Sequence, residues 1–169
     1  NLRLFAASSV LENVMTAAQQ HYSYSFFEAV SHMGRWKKME KAARDESMEL
    51  LERVGLADRA DQAAGTLPYG LQRRLEIARA ISLRPELLLL DEPAAGMNAE
   101  EVEQLNELIR LIHSDFKLTI LLIEHHMDMV MAICPHIICM NFGAKIAEGS
   151  PDEIQNHPEV LKAYLGEEE

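Results

Sequence analysis

With 169 residues, 48% of them hydrophobic and 25% charged, the chain is long enough for one ordinary domain with a real core or for two small lobes. Its 27 acidic against 16 basic side chains give a formal charge of −11, which excludes a general nucleic-acid surface, because phosphate binding is driven by clustered Lys and Arg. No apolar run approaches ~18 residues and no signal-peptide pattern occurs, so no bilayer span is expected, and Cys134 and Cys139 read as small buried hydrophobes of a reducing compartment rather than as a disulfide or metal site.

In chain order, residues 1–9 (NLRLFAASS) form a short apolar entry. Ser9 followed by Glu12 is a capping-box pattern that predicts a helix from about Val10, with Val14, Ala17 and Ala18 at helical spacing. Residues 21–36 hold half of the aromatics, Tyr22, Tyr24, Phe26, Phe27 and Trp36, which at helical spacing read as the packing of a small helical lobe. A charged amphipathic helix is predicted over 37–54, with Met39, Ala43, Met48, Leu51 and Val54 as its stripe and Gly55 as its stop. Residues 56–64 read as a short connector helix. After Pro68 and Gly70 a helical pattern runs on Leu71, Leu75, Ala78 and Ile81. A helix that starts behind a glycine turn offers unpaired N–H groups to an anion.

The chain is organised around residues 87–98, LLLLDEPAAGMN. Four leucines bounded by breakers predict a parallel strand covered on both faces. It stops at Asp91 and Glu92, at the carboxyl end where open α/β sheets place their ligands. Asn98 is the expected cap of a helix through about Ser114, with Val102, Leu105, Leu108, Ile109 and Ile112 as its buried stripe. Residues 118–123 form a second buried strand that ends at Glu124, His125 and His126. A short helix over 127–133 follows, then a hairpin of 137–141 and 144–147 turned at Phe142-Gly143. Ser150-Pro151 and His157-Pro158 open two short terminal helices. The strand, helix, strand order predicts βαβ units and a parallel sheet. Taken alone, Asp91-Glu92 also reads as a solvated acidic turn, His125 as an ordinary strand-end histidine, and His126 as packing or surface.

Three of these segments, LPYGLQRRLEIARAI, LLLLDEPAAGMN and LLIEHH, resemble in order and spacing the signature, Walker B, D-loop and switch-histidine segments of ABC-type ATPases. The Tyr-Gly signature, DEPAAGMN, IEHHM and the tail EGSPDEIQNHPEVLKAYLGEEE look like those of the ATP-binding subunits of branched-chain amino acid importers. Lipopolysaccharide-export ATPases, which share the YLGE-type tail, are the nearest confusable relatives. The resemblance implies an α/β fold, P-loop NTPase-like but partial: a helical, signature-motif subdomain over 1–85 and the carboxyl-terminal part of the parallel-sheet ATPase core over 86–169. It implies that Asp91 holds the hydrated Mg²⁺ on the nucleotide phosphates. Glu92 resembles the catalytic carboxylate that orients or deprotonates the attacking water, and His125 the histidine that contacts the γ-phosphate. Tyr69, Gly70, Leu71 and Asn98 fall on the signature and D-loop contacts of a sandwich dimer. Pro68 and Leu71 depart from the family's Ser-Gly-Gly-Gln pattern, which removes a serine hydroxyl but keeps Gly70 and the helix amino end.

No G-x-x-x-x-G-K-S/T occurs in the chain, so the phosphate loop, its lysine and its Mg²⁺-binding hydroxyl are missing. The resemblance therefore implies a truncated, carboxyl-terminal portion of an ABC ATPase that does not hydrolyse ATP alone. The intact form would use ATP and Mg²⁺ with a second ATPase subunit. It would dock transmembrane permease subunits through the helical subdomain at the cytoplasmic face of the inner membrane, touching the membrane only through the permease and binding no nucleic acid. The missing half also predicts sheet edges and apolar surface left open. A non-catalytic helical interaction module with a vestigial ATPase half is the alternative, favoured by Pro68, Leu71 and the missing loop.

Overall fold

The structure, a computed structural model, describes residues 4–22 and 35–165; the aromatic stretch 23–34, expected to pack the helical lobe, and the tail 166–169 lie outside the described residues. Helix α1 (Val10–Ala18) begins as its capping box dictates. The Ser9 hydroxyl accepts from the Glu12 N–H at 3.1 Å and Glu12 Oε2 accepts from the Ser9 N–H at 2.8 Å. Asn13, fully buried, ties the entry segment to this helix: its Oδ1 accepts from the Phe5 N–H at 2.9 Å and its Nδ2 donates to the Phe5 carbonyl at 3.0 Å.

Helix α2 (Arg35–Arg53) buries Ala43, Leu50 and Leu51, and Gly55 follows it at φ +72, a conformation that only a residue without Cβ holds freely. Residues 56–64 do not form the expected connector helix. They make two 3₁₀ turns, Ala57–Arg59 and Ala64–Thr66. The cause is hydrogen-bond competition: the N–H groups of Val10 and Leu11, orphaned at the amino end of α1, take the carbonyls of Gln62 and Ala60 at 2.9 Å each. Those carbonyls are then lost to any local ladder.

Helix α3 (Tyr69–Ile81) turns Leu75, Ile77, Ala78 and Ile81 inward. Strand β1 (Leu87–Asp91), helix α4 (Ala99–Phe116) and strand β2 (Thr119–Ile123) form one βαβ unit, with β1 and β2 parallel and in register from Leu87 opposite Thr119 to Asp91 opposite Ile123. The sequence predicts strands covered on both faces; among the described residues only one face is covered. Leu88 and Leu90 are 5% and 8% exposed, whereas Leu87 and Leu89 are 51% and 65% exposed, and Leu121 and Ile123 lie open beside them. Side chains alternate across a strand. The larger apolar cluster, which includes Val14, Leu51, Leu75, Leu108 and Ile112, meets the Leu88–Leu90 side alone. An all-apolar run permits burial on two faces but does not itself supply the second layer.

Helix α5 (Met127–Ile133) leads to the antiparallel hairpin of β3 (Ile137–Asn141) and β4 (Ala144–Gly149), which carries a bulge at Cys139/Met140. The Ser150–Glu153 capping box starts α6 (Pro151–Gln155), and α7 (Pro158–Leu165) follows. Ile137, Cys139, Ala147, Ile154 and Val160 make a second, smaller core. The fold is thus mixed helix and sheet, with one parallel and one antiparallel piece. Cys134 and Cys139 are unbridged, and burial pushes both thiols above their ordinary range, which suits the inert role expected of them. No described helix is long and apolar enough to cross a membrane.

The hairpin turn is the two-residue kind with φ positive at both positions, +45 at Phe142 and +80 at Gly143. Phe142 is fully exposed, so its side chain gains nothing there for the backbone conformation it must hold. Phe142→Asn, an Asn-Gly turn, is expected to raise stability by about 1 kcal/mol and Phe142→Val to lower it; paired thermal melts check both signs.

Candidate functional site

The carboxyl ends of β1 and β2 meet side by side, so the residues that follow each strand emerge together. After β1 the chain turns hard. Glu92 holds φ +43, a left-handed conformation that costs a non-glycine residue about 1 kcal/mol. Its N–H donates to the Ile123 carbonyl at 2.8 Å, which fastens the two strand ends. The Glu92 carboxylate meets His125, whose Nδ1 lies 3.3 Å from Oε1, and both side chains are more than half exposed. Asp91 is exposed too, and its carboxylate makes no hydrogen bond or ion pair among the described residues.

Beneath this pair lies Glu124, whose side chain has no exposed surface. Oε1 accepts from the Ala94 N–H at 2.8 Å. Oε2 accepts from the His125 N–H at 3.1 Å and from the His126 ring at Nδ1, 2.9 Å away. Burial alone pushes this carboxyl up, but the donors outweigh it, His126 first and then the backbone N–H groups of Ala94, His126 and His125, and hold it below the ordinary carboxylate range. The imidazoles of His125 and His126 sit 4.5 Å apart, tilted by 32°.

A second group gathers at the amino ends of two helices. Tyr69, Gly70 and Leu71 form the first turn of α3, which has no side-chain cap. Asn98 caps α4: its Oδ1 accepts from the Glu101 N–H at 3.0 Å while Glu101 Oε2 accepts from the Asn98 N–H at 2.9 Å. A cleft of about 260 Å³ joins the two helix starts, lined by Pro68, Gly70, Leu71, Met97 and Glu101 among others. A Cβ on Gly70 would stand 3.4 Å from Glu101 Oε1. None of Asp91, Glu92 and His125 lines this cleft, so the sequence-predicted residues form two groups rather than one.

The profile of the family described as "ABC transporter" matches residues 1–95. The chain belongs to the ABC transporter family. A second profile, "Branched-chain amino acid ATP-binding cassette transporter", matches residues 144–169. The chain is 44% identical, over 99% of its length, to the high-affinity branched-chain amino acid transport ATP-binding protein BraF of Pseudomonas aeruginosa, and 42% identical, over the same share, to LivG of Escherichia coli. It spans 66% of the length of each of these curated relatives. Among solved structures it superposes on MJ1267, an ATP-binding cassette of an ABC transporter in its ADP conformation, with TM-score 0.73, 26% identity and coverage of 96% of this chain and 64% of that one. On cbiO1 of Clostridium perfringens, part of the transporter complex cbiONQ, the TM-score is 0.76 at 26% identity, covering 95% and 57%. The fold of this ABC transporter chain is therefore that of part of an ATP-binding cassette.

Sequence reasoning did not single out Glu124. The only signal was its place, a carboxylate at the end of an apolar strand, and such residues are usually exposed. Glu124→Ala is expected to cost about 2–4 kcal/mol, since it strands donors from two loops in a dry site. Because the folded carboxyl lies below its unfolded value, its contribution is complete above the ordinary carboxyl range near pH ~4 and is lost as pH falls through the depressed folded value. Denaturant melts from about pH 7 down to about pH 3 should therefore fall more steeply for the wild type than for Glu124→Gln.

Proposed function

We propose that the intact protein hydrolyses ATP with Mg²⁺ to drive the import of branched-chain amino acids, and that Asp91, Glu92 and His125 are the part of the ATPase centre this chain carries. The observation behind the reading is the Glu92–His125 contact at the fastened ends of two parallel strands, in a chain whose relatives at 42–44% identity are named for high-affinity branched-chain amino acid transport. The match of residues 144–169 to the branched-chain family supports the substrate class.

Asp91 fits a Mg²⁺ ion: it is a hard-oxygen donor, exposed at a strand end and committed to no other partner among the described residues. Bound there, Mg²⁺ would neutralise charge on the phosphates. Glu92 orients the attacking water and takes its proton. His125, with Nδ1 towards Glu92, turns Nε2 to a phosphoryl oxygen, to which it donates when the ring carries both protons. Glu124 accepts the His125 N–H and so positions that residue without touching substrate. The uncapped first turn of α3, with Tyr69, Gly70 and Leu71, and the α4 start at Asn98 serve as the contact to a nucleotide shared with a second ATPase subunit. The helical residues 1–85 dock permease subunits at the cytoplasmic face of the membrane. The phosphate-loop motif does not occur in these 169 residues, so the reading is of the whole protein and its test is made there. Glu92→Gln is expected to lower phosphate release at least ~100-fold while equilibrium ATP binding changes only a few-fold; turnover at the wild-type rate removes Glu92 from its role.

A further inference from the structure

The cluster below Glu92 has a composition that its proposed part in ATP hydrolysis does not use. Glu124, His125 and His126 bring a carboxylate oxygen and two imidazole nitrogens within 4.8 Å of one another. His126 Nδ1 stands 2.9 Å from Glu124 Oε2, and His125 Nδ1 stands 3.9 Å from the same oxygen. A tetrahedral ion with bonds of about 2.0–2.2 Å has ligand atoms about 3.4 Å apart, so these separations are close to the edges of such a site. We propose that Glu124, His125 and His126 form a three-ligand binding site for a borderline transition-metal ion of the Zn²⁺ class, with water in the fourth position, distinct from any Mg²⁺ held at Asp91. Two imidazoles with one carboxylate select Zn²⁺, Co²⁺ or Ni²⁺ over Mg²⁺, which takes oxygen and water. Glu124 is already fixed by backbone N–H groups from Ala94 and His125, so the least mobile ligand is pre-set before the ion arrives. On binding, the metal replaces the proton between His126 Nδ1 and Glu124 Oε2, and that proton leaves to solvent.

Binding does not rest on the ATPase reading, but its consequence does. An ion there occupies His125, the residue in contact with Glu92, so it acts as a reversible inhibitor of the proposed hydrolysis. The experiment titrates the purified, metal-stripped intact protein with Co²⁺ and follows the visible bands of tetrahedral cobalt, with Zn²⁺ added to displace them. One equivalent, bands that Zn²⁺ removes and millimolar Mg²⁺ does not, and at least tenfold weaker binding in His126→Asn support the site. Asn still donates to Glu124, and circular dichroism verifies that the variant is folded. His136→Asn is the control, because His136 pairs with Glu148 at 3.0 Å in an exposed histidine–carboxylate contact elsewhere on the chain. Bands unchanged in His126→Asn, bands lost equally in His136→Asn, or no tetrahedral spectrum at all would overturn the site. With Mg²⁺ in excess, Zn²⁺ should inhibit ATP turnover of the wild type at least tenfold more strongly than that of His126→Asn, each measured against its own metal-free rate. Equal inhibition overturns the regulatory consequence, whereas a wild type without turnover counts against the ATPase reading and leaves the cobalt result to decide the site.

Discussion

A carboxylate with no exposed surface is tolerable only when its oxygens are satisfied, and Glu124 is satisfied from two loops at once. Ala94, on the turn after β1, donates to one oxygen, while His125 and His126, after β2, donate to the other. Ala94 is itself fully buried. The charge therefore acts as a second cross-tie between the two strand exits, beside the Glu92 N–H bond to the Ile123 carbonyl. An apolar side chain of the same size would fill the space but would accept nothing, and the backbone of both exits would lose its register.

That tie explains how a strained residue persists beside it. Glu92 N–H extends the parallel ladder by one bond to Ile123 and then leaves it in a left-handed conformation. A free loop would relax by ~1 kcal/mol, but here the chain is held at Ile123 on one side and, two residues on, at Ala94 by Glu124. With both ends fixed, the short span between them has little choice of path. The Glu92 carboxylate is consequently presented to His125 rather than carried along the strand line. Strain of this kind is kept where the surrounding structure over-determines it.

The elements that were legible in the sequence are those whose cause is local. Ser9 with Glu12, Asn98 with Glu101 and Ser150 with Glu153 each place donor and acceptor three residues apart, and each helix starts where its box stands. Phe142-Gly143 is likewise a two-residue signal, and the hairpin turns there. What failed was set from a distance. The 56–64 connector reads as helix because its carbonyls are assumed to serve their own ladder, yet two of them serve α1, some fifty residues earlier in the chain. The leucine run reads as doubly buried because every position is apolar, yet the number of layers is a property of the neighbours. Glu124 is not singled out because one of the donors that bury it comes from a turn thirty residues away. Of the candidate site, the strand-end residues Asp91, Glu92 and His125 could be named in advance; the buried acceptor that holds the His125 backbone could not.

The open strand face and the site are one surface. Alternation along β1 puts Asp91 on the same side as Leu87 and Leu89, and register puts Ile123 directly beside Asp91 and Leu121 beside Leu89. The exposed apolar rows thus end at the carboxylate proposed to hold Mg²⁺. Contiguous aliphatic side chains open to water are costly and mark a surface that some other layer covers. Any layer laid on this face ends next to Asp91, and it excludes water from one side of that carboxylate. Charge interactions there then act in a lower dielectric than the exposed strand end provides. The covering of the leucines and the strength of the Asp91 site are therefore coupled: the same contact that removes the apolar surface from water makes the carboxylate beside it a better electrostatic partner.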